Sequence, residues 1–111
     1  MKFLVIATPK EIMFTLPPAM SRQLVEAQVA WINQQKQAGK ILEHYWIPGW
    51  ARAVVIREAE SAEDVARAFS EMPLGGLMNS EVYPLADYDE SMKGIIESLK
   101  RAEQLFPPPP R

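Results

Sequence analysis

One histidine stands in the 111 residues of this chain, at His44. Imidazole is the side chain whose ordinary pKa, about 6.5, suits proton transfer near neutral pH. His44 lies in a run of apolar and aromatic residues, and in an extended chain it shares a side with Trp46. That placement fits a general acid or base in a lined cavity, or a hydrogen-bonded histidine in a core or interface. Arg52, in the next such run, alternates with Val54 and Ile56. If that face is covered, a guanidinium there calls for a carboxylate or an anionic ligand; at the strand end it can instead reach solvent. His44 as acid or base and Arg52 as anion clamp form the expected catalytic pair. Trp31, Tyr45, Trp46, Trp50 and Tyr83 are the aromatics expected to wall a substrate site, because small planar ligands are held by apolar linings with few polar groups. The same residues would serve equally as core. Tyr83, Asn79 and Ser80 could donate hydrogen bonds to an oxyanion. Arg57 and Glu43 are expected to pair across a hairpin.

Other chemistries are excluded or unsupported. There is no cysteine, so disulfides, thiolate nucleophiles, zinc–thiolate sites and iron–sulfur clusters are absent. One histidine with Asp87, Asp89 and Glu90 makes no metal site; those acids read as a solvated helix start. Gly75 and Gly76 lack a phosphate-loop context. No cofactor is expected. The net charge of −2, without a basic stripe, argues against a nucleic-acid partner. The apolar run Phe3 to Ala7 is far shorter than the ~20 residues a bilayer span needs. Pro9, Lys10 and Glu11 cut it short as a signal sequence. No membrane partner and a cytoplasmic location follow as expectations. With 48% hydrophobic and 23% charged residues, one folded domain is expected.

Residue pattern places these side chains on elements. Residues 2–8 read as a strand, rich in β-branched and aromatic types and closed by Pro9. Residues 10–16 read as irregular. Pro17 and Pro18 suit a first helical turn. From Ala19, the residues Leu24, Ala27, Gln28, Trp31, Ile32 and Gln35 follow the 3–4 spacing of one helix face. Gly39 ends that helix. Residues 40–47 and 50–58 form a hairpin about Pro48-Gly49. Ser61 and Asp64 cap a short helix. Residues 77–85 form a fourth strand, which Pro84 suits to an edge. Residues 90–106 form a last helix with the stripe Met92, Ile95, Ile96, Leu99, Ala102 and Phe106. Pro107 to Pro110 and Arg111 read as a polyproline II stub, either a plain tail or an SH3-type ligand. The order β-α-β-β-α-β is the ferredoxin-like α+β arrangement with an antiparallel sheet, followed by a C-terminal helix. The expected division is 1–88 as the ferredoxin-like barrel domain, 89–106 as the amphipathic helix and 107–111 as the proline-rich tail.

The expected sheet is apolar on both faces. Phe3, Val5 and Ala7 oppose Leu4 and Ile6; Ile41, Tyr45 and Ile47 oppose Leu42, His44 and Trp46; Val54 and Ile56 oppose Ala51, Ala53 and Val55. Helices cover one face, and a wet second face would normally be polar. Covering each large side chain is worth roughly 1.5–3 kcal/mol. A second subunit over the open face is therefore expected, giving a homodimer or higher homo-oligomer. The competing arrangement is a monomer whose last helix crosses that face.

Several blocks of the chain resemble a known family. They are Met1-Lys2-Phe3-Leu4-Val5, Gly39, Trp46-Ile47-Pro48-Gly49, Glu58-Ala59-Glu60-Ser61-Ala62-Glu63, and Met72-Pro73-Leu74 with Met78 and Glu81-Val82. Together they resemble muconolactone delta-isomerase and its relatives in the dimeric α+β barrel superfamily, over roughly residues 1–85. The resemblance implies a ferredoxin-like protomer, a barrel shared by two subunits, and a double-bond shift in a lactone without metal or organic cofactor. It also implies a lysine and a carboxylate on the first helix to handle the proton. Those places fall at about Val25 and Gln28, which cannot do that work, so the family's acid–base positions are not retained. The expected function is cofactor-free proton transfer, an isomerisation, on a small cyclic or aromatic acid. Alternatives are a non-enzymatic small-ligand-binding or assembly protein of the same fold, and a cofactor-free oxygenase.

Overall fold

In the computed structural model, which describes residues 1–110, the chain runs as four strands and three α-helices. They are β1 (Lys2–Pro9), α1 (Pro18–Gln37), β2 (Ile41–Ile47), β3 (Arg52–Glu58), α2 (Ala62–Glu71), β4 (Met78–Leu85) and α3 (Tyr88–Leu105). The segment expected to be irregular holds a 3₁₀ turn, Glu11–Thr15, in which the Thr15 hydroxyl donates to Ile12 O at 2.7 Å. Pro18 opens α1, where its missing N–H costs no helical bond. Gly39 follows the helix at φ +74°, a left-handed turn that glycine takes without strain. Ser61 caps α2, its hydroxyl accepting from Asp64 N at 3.2 Å. Asp87 caps α3 in the same way, accepting from Glu90 N at 2.9 Å, and so the helix starts two residues before the apolar stripe suggests.

The sheet is antiparallel in the order β2-β3-β1-β4, the ferredoxin-like arrangement. β4 is an edge, which accommodates Pro84 because a proline there leaves only an outer ladder position unfilled. β1 pairs with β3 from Lys2↔Glu58 to Ala7↔Ala53, and with β4 through Val5↔Val82. This puts Phe3, Val5, Ala7, Ala53, Val55 and Arg57 on one face, and Leu4, Ile6, Arg52, Val54 and Ile56 on the other. β2 follows the expected alternation only from Glu43 onward. An irregularity between Ile41 and Glu43 inserts one extra residue, so Ile41 shares a face with His44 and Trp46 and not with Tyr45 and Ile47. The same register separates Arg57 from Glu43: Arg57 is opposite Ile41 and Glu43 opposite Ile56, on different faces, so the expected cross-hairpin pair does not form.

The two covering helices pack differently. α2 closes tightly over β1 and β4, with Val65 fully buried against Phe3 and Val5, and Phe69 beside them. Met72, Leu74 and Met78 continue the core around Ala7. α1 buries no residue completely and makes its sheet contacts mainly with the edge strand β2. α3 packs over nothing of comparable extent. Ile95, Ile96, Leu99 and Phe106 stay exposed, and the molecule measures 73 × 30 × 22 Å with a radius of gyration of 20.2 Å. A compact chain of this length would have about 13 Å. The last helix therefore does not cross the open sheet face in this chain. No helix among the described residues is long and apolar enough to cross a membrane.

Candidate active-site cleft

Because α1 stands off the sheet, a cleft of about 450 Å³ opens beneath it, within the size range of small-ligand sites. Its floor is the helix-facing side of the sheet: Val5 and Ala7 from β1, Ala53, Val55 and Arg57 from β3, and Ile41, His44 and Trp46 from β2. Its roof is α1, through Val25, Gln28, Val29, Trp31 and Ile32. Phe69, Met72, Leu74 and Met78 close the end towards α2. Small residues at Ala7 and Ala53 leave the volume that larger ones would fill.

The polar groups of the lining are few. Gln28 is a tie between α1 and the segment after α2. Its Oε1 accepts from Leu74 N at 3.2 Å, and its Nε2 donates to Met72 Sδ at 3.4 Å. His44 presents its imidazole from the edge strand. Arg57 is 7% exposed, and its Nη2 donates to Gln35 Oε1 at 3.4 Å. Burial lowers its pKa from the usual guanidinium value. Its Nε is buried without a partner among the described residues. The lining contains no carboxylate among the described residues.

The residues expected to do chemistry divide between the two faces of the sheet. His44, Trp46 and Trp31 meet in the cleft. Arg52 does not join them: its register with Ile47 sets it on the opposite face, where its guanidinium lies 5.4 Å from the centroid of the Trp50 ring. Trp50 itself is in the hairpin turn and 70% exposed. Tyr45 borders the cleft from the edge strand, but its register with Val54 assigns its side chain to the other face. Tyr83, opposite Leu4, is also on that other face, and its hydroxyl donates to Glu81 Oε2 at 2.7 Å. That bond and the adjacent Glu81 charge hold the phenol above its usual range, so its proton is already committed. Arg57, and not Arg52, is the arginine of the cleft. The signal that separates them is register: a β3 residue in step with Val55 and Ala53 faces the helices, and one in step with Val54 does not.

The sequence profile of the muconolactone delta-isomerase family matches residues 1–91. The chain belongs to that family. Among solved structures it is similar to muconolactone isomerase, at 22% identity with a TM-score of 0.67, covering 79% of this chain and 91% of that one. It is also similar to 5-chloro-2-hydroxyhydroquinone dehydrochlorinase from Burkholderia phenoliruptrix, solved with 2,5-dihydroxybenzoquinone. There the identity is 19% and the TM-score 0.64, covering 81% of this chain and 98% of that one. No match is found among curated protein sequences. At these identities the structural likeness shows the fold, the ferredoxin-like protomer expected from the element order. Within that fold, Val25 and Gln28, the two places where the family resemblance implies a lysine and a carboxylate, both line the cleft.

Proposed function

We propose that this family member isomerises a small cyclic or aromatic acid by proton transfer, without a cofactor, in the cleft beneath α1. The observation that carries the reading is the imidazole of His44 on the wall of a largely apolar cleft that holds Gln28 and Arg57 but no carboxylate among the described residues. A substrate carbon acidified by a neighbouring carbonyl would lose its proton to the neutral imidazole. The imidazolium would return a proton at a second carbon, moving the double bond between them. Gln28 holds its amide to Leu74 and Met72, and Val25 is inert, so among the cleft's side chains His44 takes the acid–base role. Trp31 and Trp46 offer flat surfaces to a ring.

We also propose that the chain works as a homodimer in the cytoplasm, closed through the sheet face opposite the cleft. That face carries Leu4, Ile6, Val54, Ile56, Tyr45 and Tyr83 and is uncovered by any helix of its own chain. In this reading residues 1–88 are the barrel domain and residues 89–106 an appended helix.

The test is incubation of the protein with muconolactone in D₂O, followed by ¹H NMR. Double-bond migration with deuterium entering at the receiving carbon is expected. A His44→Gln variant should lose at least 100-fold in rate, the lower end of what a positioned acid–base group contributes, about 10²–10⁴. Migration at an undiminished rate in that variant would remove His44 from the mechanism.

A further inference from the structure

Arg57 is nine-tenths buried, its Nε finds no partner among the described residues, and one 3.4 Å bond to Gln35 is the hydrogen bond it makes. None of the ion pairs of the described residues includes it. A cation removed from water without a counter-charge is an unfavourable arrangement that an incoming anion relieves. Burial alone lowers its pKa, with no neighbouring carboxylate acting in the other direction. On its far side lies a polar cleft bearing Glu58, Glu60, Asp64 and Glu71 beside Lys40 and Arg67. On its near side lies the apolar cleft, where Arg57 and His44 are the titratable groups on the sheet's helix-facing side. Arg52 also has an unpartnered Nε, but it is partly exposed, lies over Trp50 and faces away from the cleft.

We propose that Arg57 is the anion-binding, specificity-determining residue of the cleft, and that the ligand is a small planar carboxylate whose charge pairs with its guanidinium. His44 is opposite Val55, and Arg57 is two residues along β3 on the same face. Such diagonal neighbours lie about 7–8 Å apart between Cα atoms. An acid anchored at Arg57 therefore lies on the same face of the same strand pair as the imidazole, within the one cleft that both line. Gln35 is a positioning residue that holds Nη2 and leaves Nε for the ligand. The planar, forked guanidinium suits a carboxylate better than a lysine would. This assignment rests on the cleft being the ligand site, not on the reaction carried out there.

The test titrates benzoate and its neutral counterpart benzamide into the full chain, read by tryptophan fluorescence, since Trp31 and Trp46 line the cleft. Benzoate should bind at least tenfold more tightly than benzamide. Arg57→Gln and Arg57→Met should bring benzoate to the level of benzamide and leave benzamide unchanged. Without ligand, Arg57→Met should melt no lower than the unaltered chain, because it removes an unpaired buried cation; a structural ion-pair role would lower the melting temperature. Equal affinity for the two probes in the unaltered chain, no binding of either, or an undiminished benzoate preference in Arg57→Gln overturns the assignment. The first comparison needs no variant and so stands even if the substitutions fail to fold. An Arg57-dependent benzoate preference without lactone migration keeps the anion site and removes the isomerase reading. Migration without that preference does the reverse.

Discussion

At the scale of single residues, the cleft depends on side chains whose polar atoms are already spoken for and on those whose atoms are not. Gln28 belongs to the first group. Its carbonyl oxygen is the partner of Leu74 N, in a segment where Leu74 is 6% exposed. Replacing Gln28 with Leu leaves that N–H without an acceptor, and a buried unpaired donor costs about 1–3 kcal/mol. Urea denaturation of Gln28→Leu should show a loss of that size, and Gln28→Glu, which keeps an acceptor oxygen, should recover most of it. Equal stability of the Leu variant and the unaltered chain would mean that water serves Leu74 equally well. Arg57 belongs to the second group, and its free Nε marks it out from Gln28. The sequence showed that His44, Arg52 and Arg57 were unusual among apolar neighbours. It did not show which of the two arginines shares a face with His44, because that depends on how β2 pairs with β3: His44 is opposite Val55, in step with Arg57 and out of step with Arg52.

At the scale of elements, α2 and α1 illustrate two different apolar patterns and their outcomes. α2 sets Val65 and Ala68 in the core and is held at its start by Ser61. Ser61→Ala should cost about 0.5–2 kcal/mol, the usual worth of an N-cap oxygen, measured by thermal or urea unfolding. A change below about 0.3 kcal/mol would show that Asp64 and Glu63, in the first turn, compensate through the helix dipole. α1 has its apolar residues at Leu24, Val25, Val29, Trp31 and Ile32, a broad band and not a narrow stripe. A broad band roofs a cavity without filling it. The helix, its ends and its sheet-facing residues were legible from spacing and from Pro18 and Gly39. Its distance from the sheet was not, because distance is set by the combined sizes of residues on β1, β2 and β3 that are remote in sequence.

At the scale of the whole molecule, the open sheet face is the main unanswered surface. Tyr45 is 60% exposed and Tyr83 47%, beside the half-buried Leu4, Ile6, Val54 and Ile56. A stable pairing typically covers about 800 Å² on each partner. If two copies close this face, native mass spectrometry should give a dimer or a higher even number. Val54→Glu, which introduces a charge at the centre of the face, should shift it to monomer with unchanged helicity by circular dichroism. A stable monomer of the unaltered chain would overturn the pairing. α3 carries its own exposed stripe, Ile95, Ile96, Leu99 and Phe106.

Taken by itself, the sequence determined the order of elements, their approximate ends and the ferredoxin-like topology. Those follow from local signals: β-branched runs, proline and glycine punctuation, helix caps and the 3–4 spacing of apolar residues. It also determined that cysteine chemistry is closed to this chain and that both sheet faces are apolar. Tertiary structure alone decided where chemistry can gather. It set His44 with Trp31, Trp46 and Arg57 in one cleft, and sent Arg52, Tyr45 and Tyr83 to the far side of the sheet. The reason is that which residues of separate strands share a face depends on their pairing register, here His44 opposite Val55, Ile47 opposite Arg52 and Tyr83 opposite Leu4. Composition is unchanged by a slip of register, and the placement of charge is not.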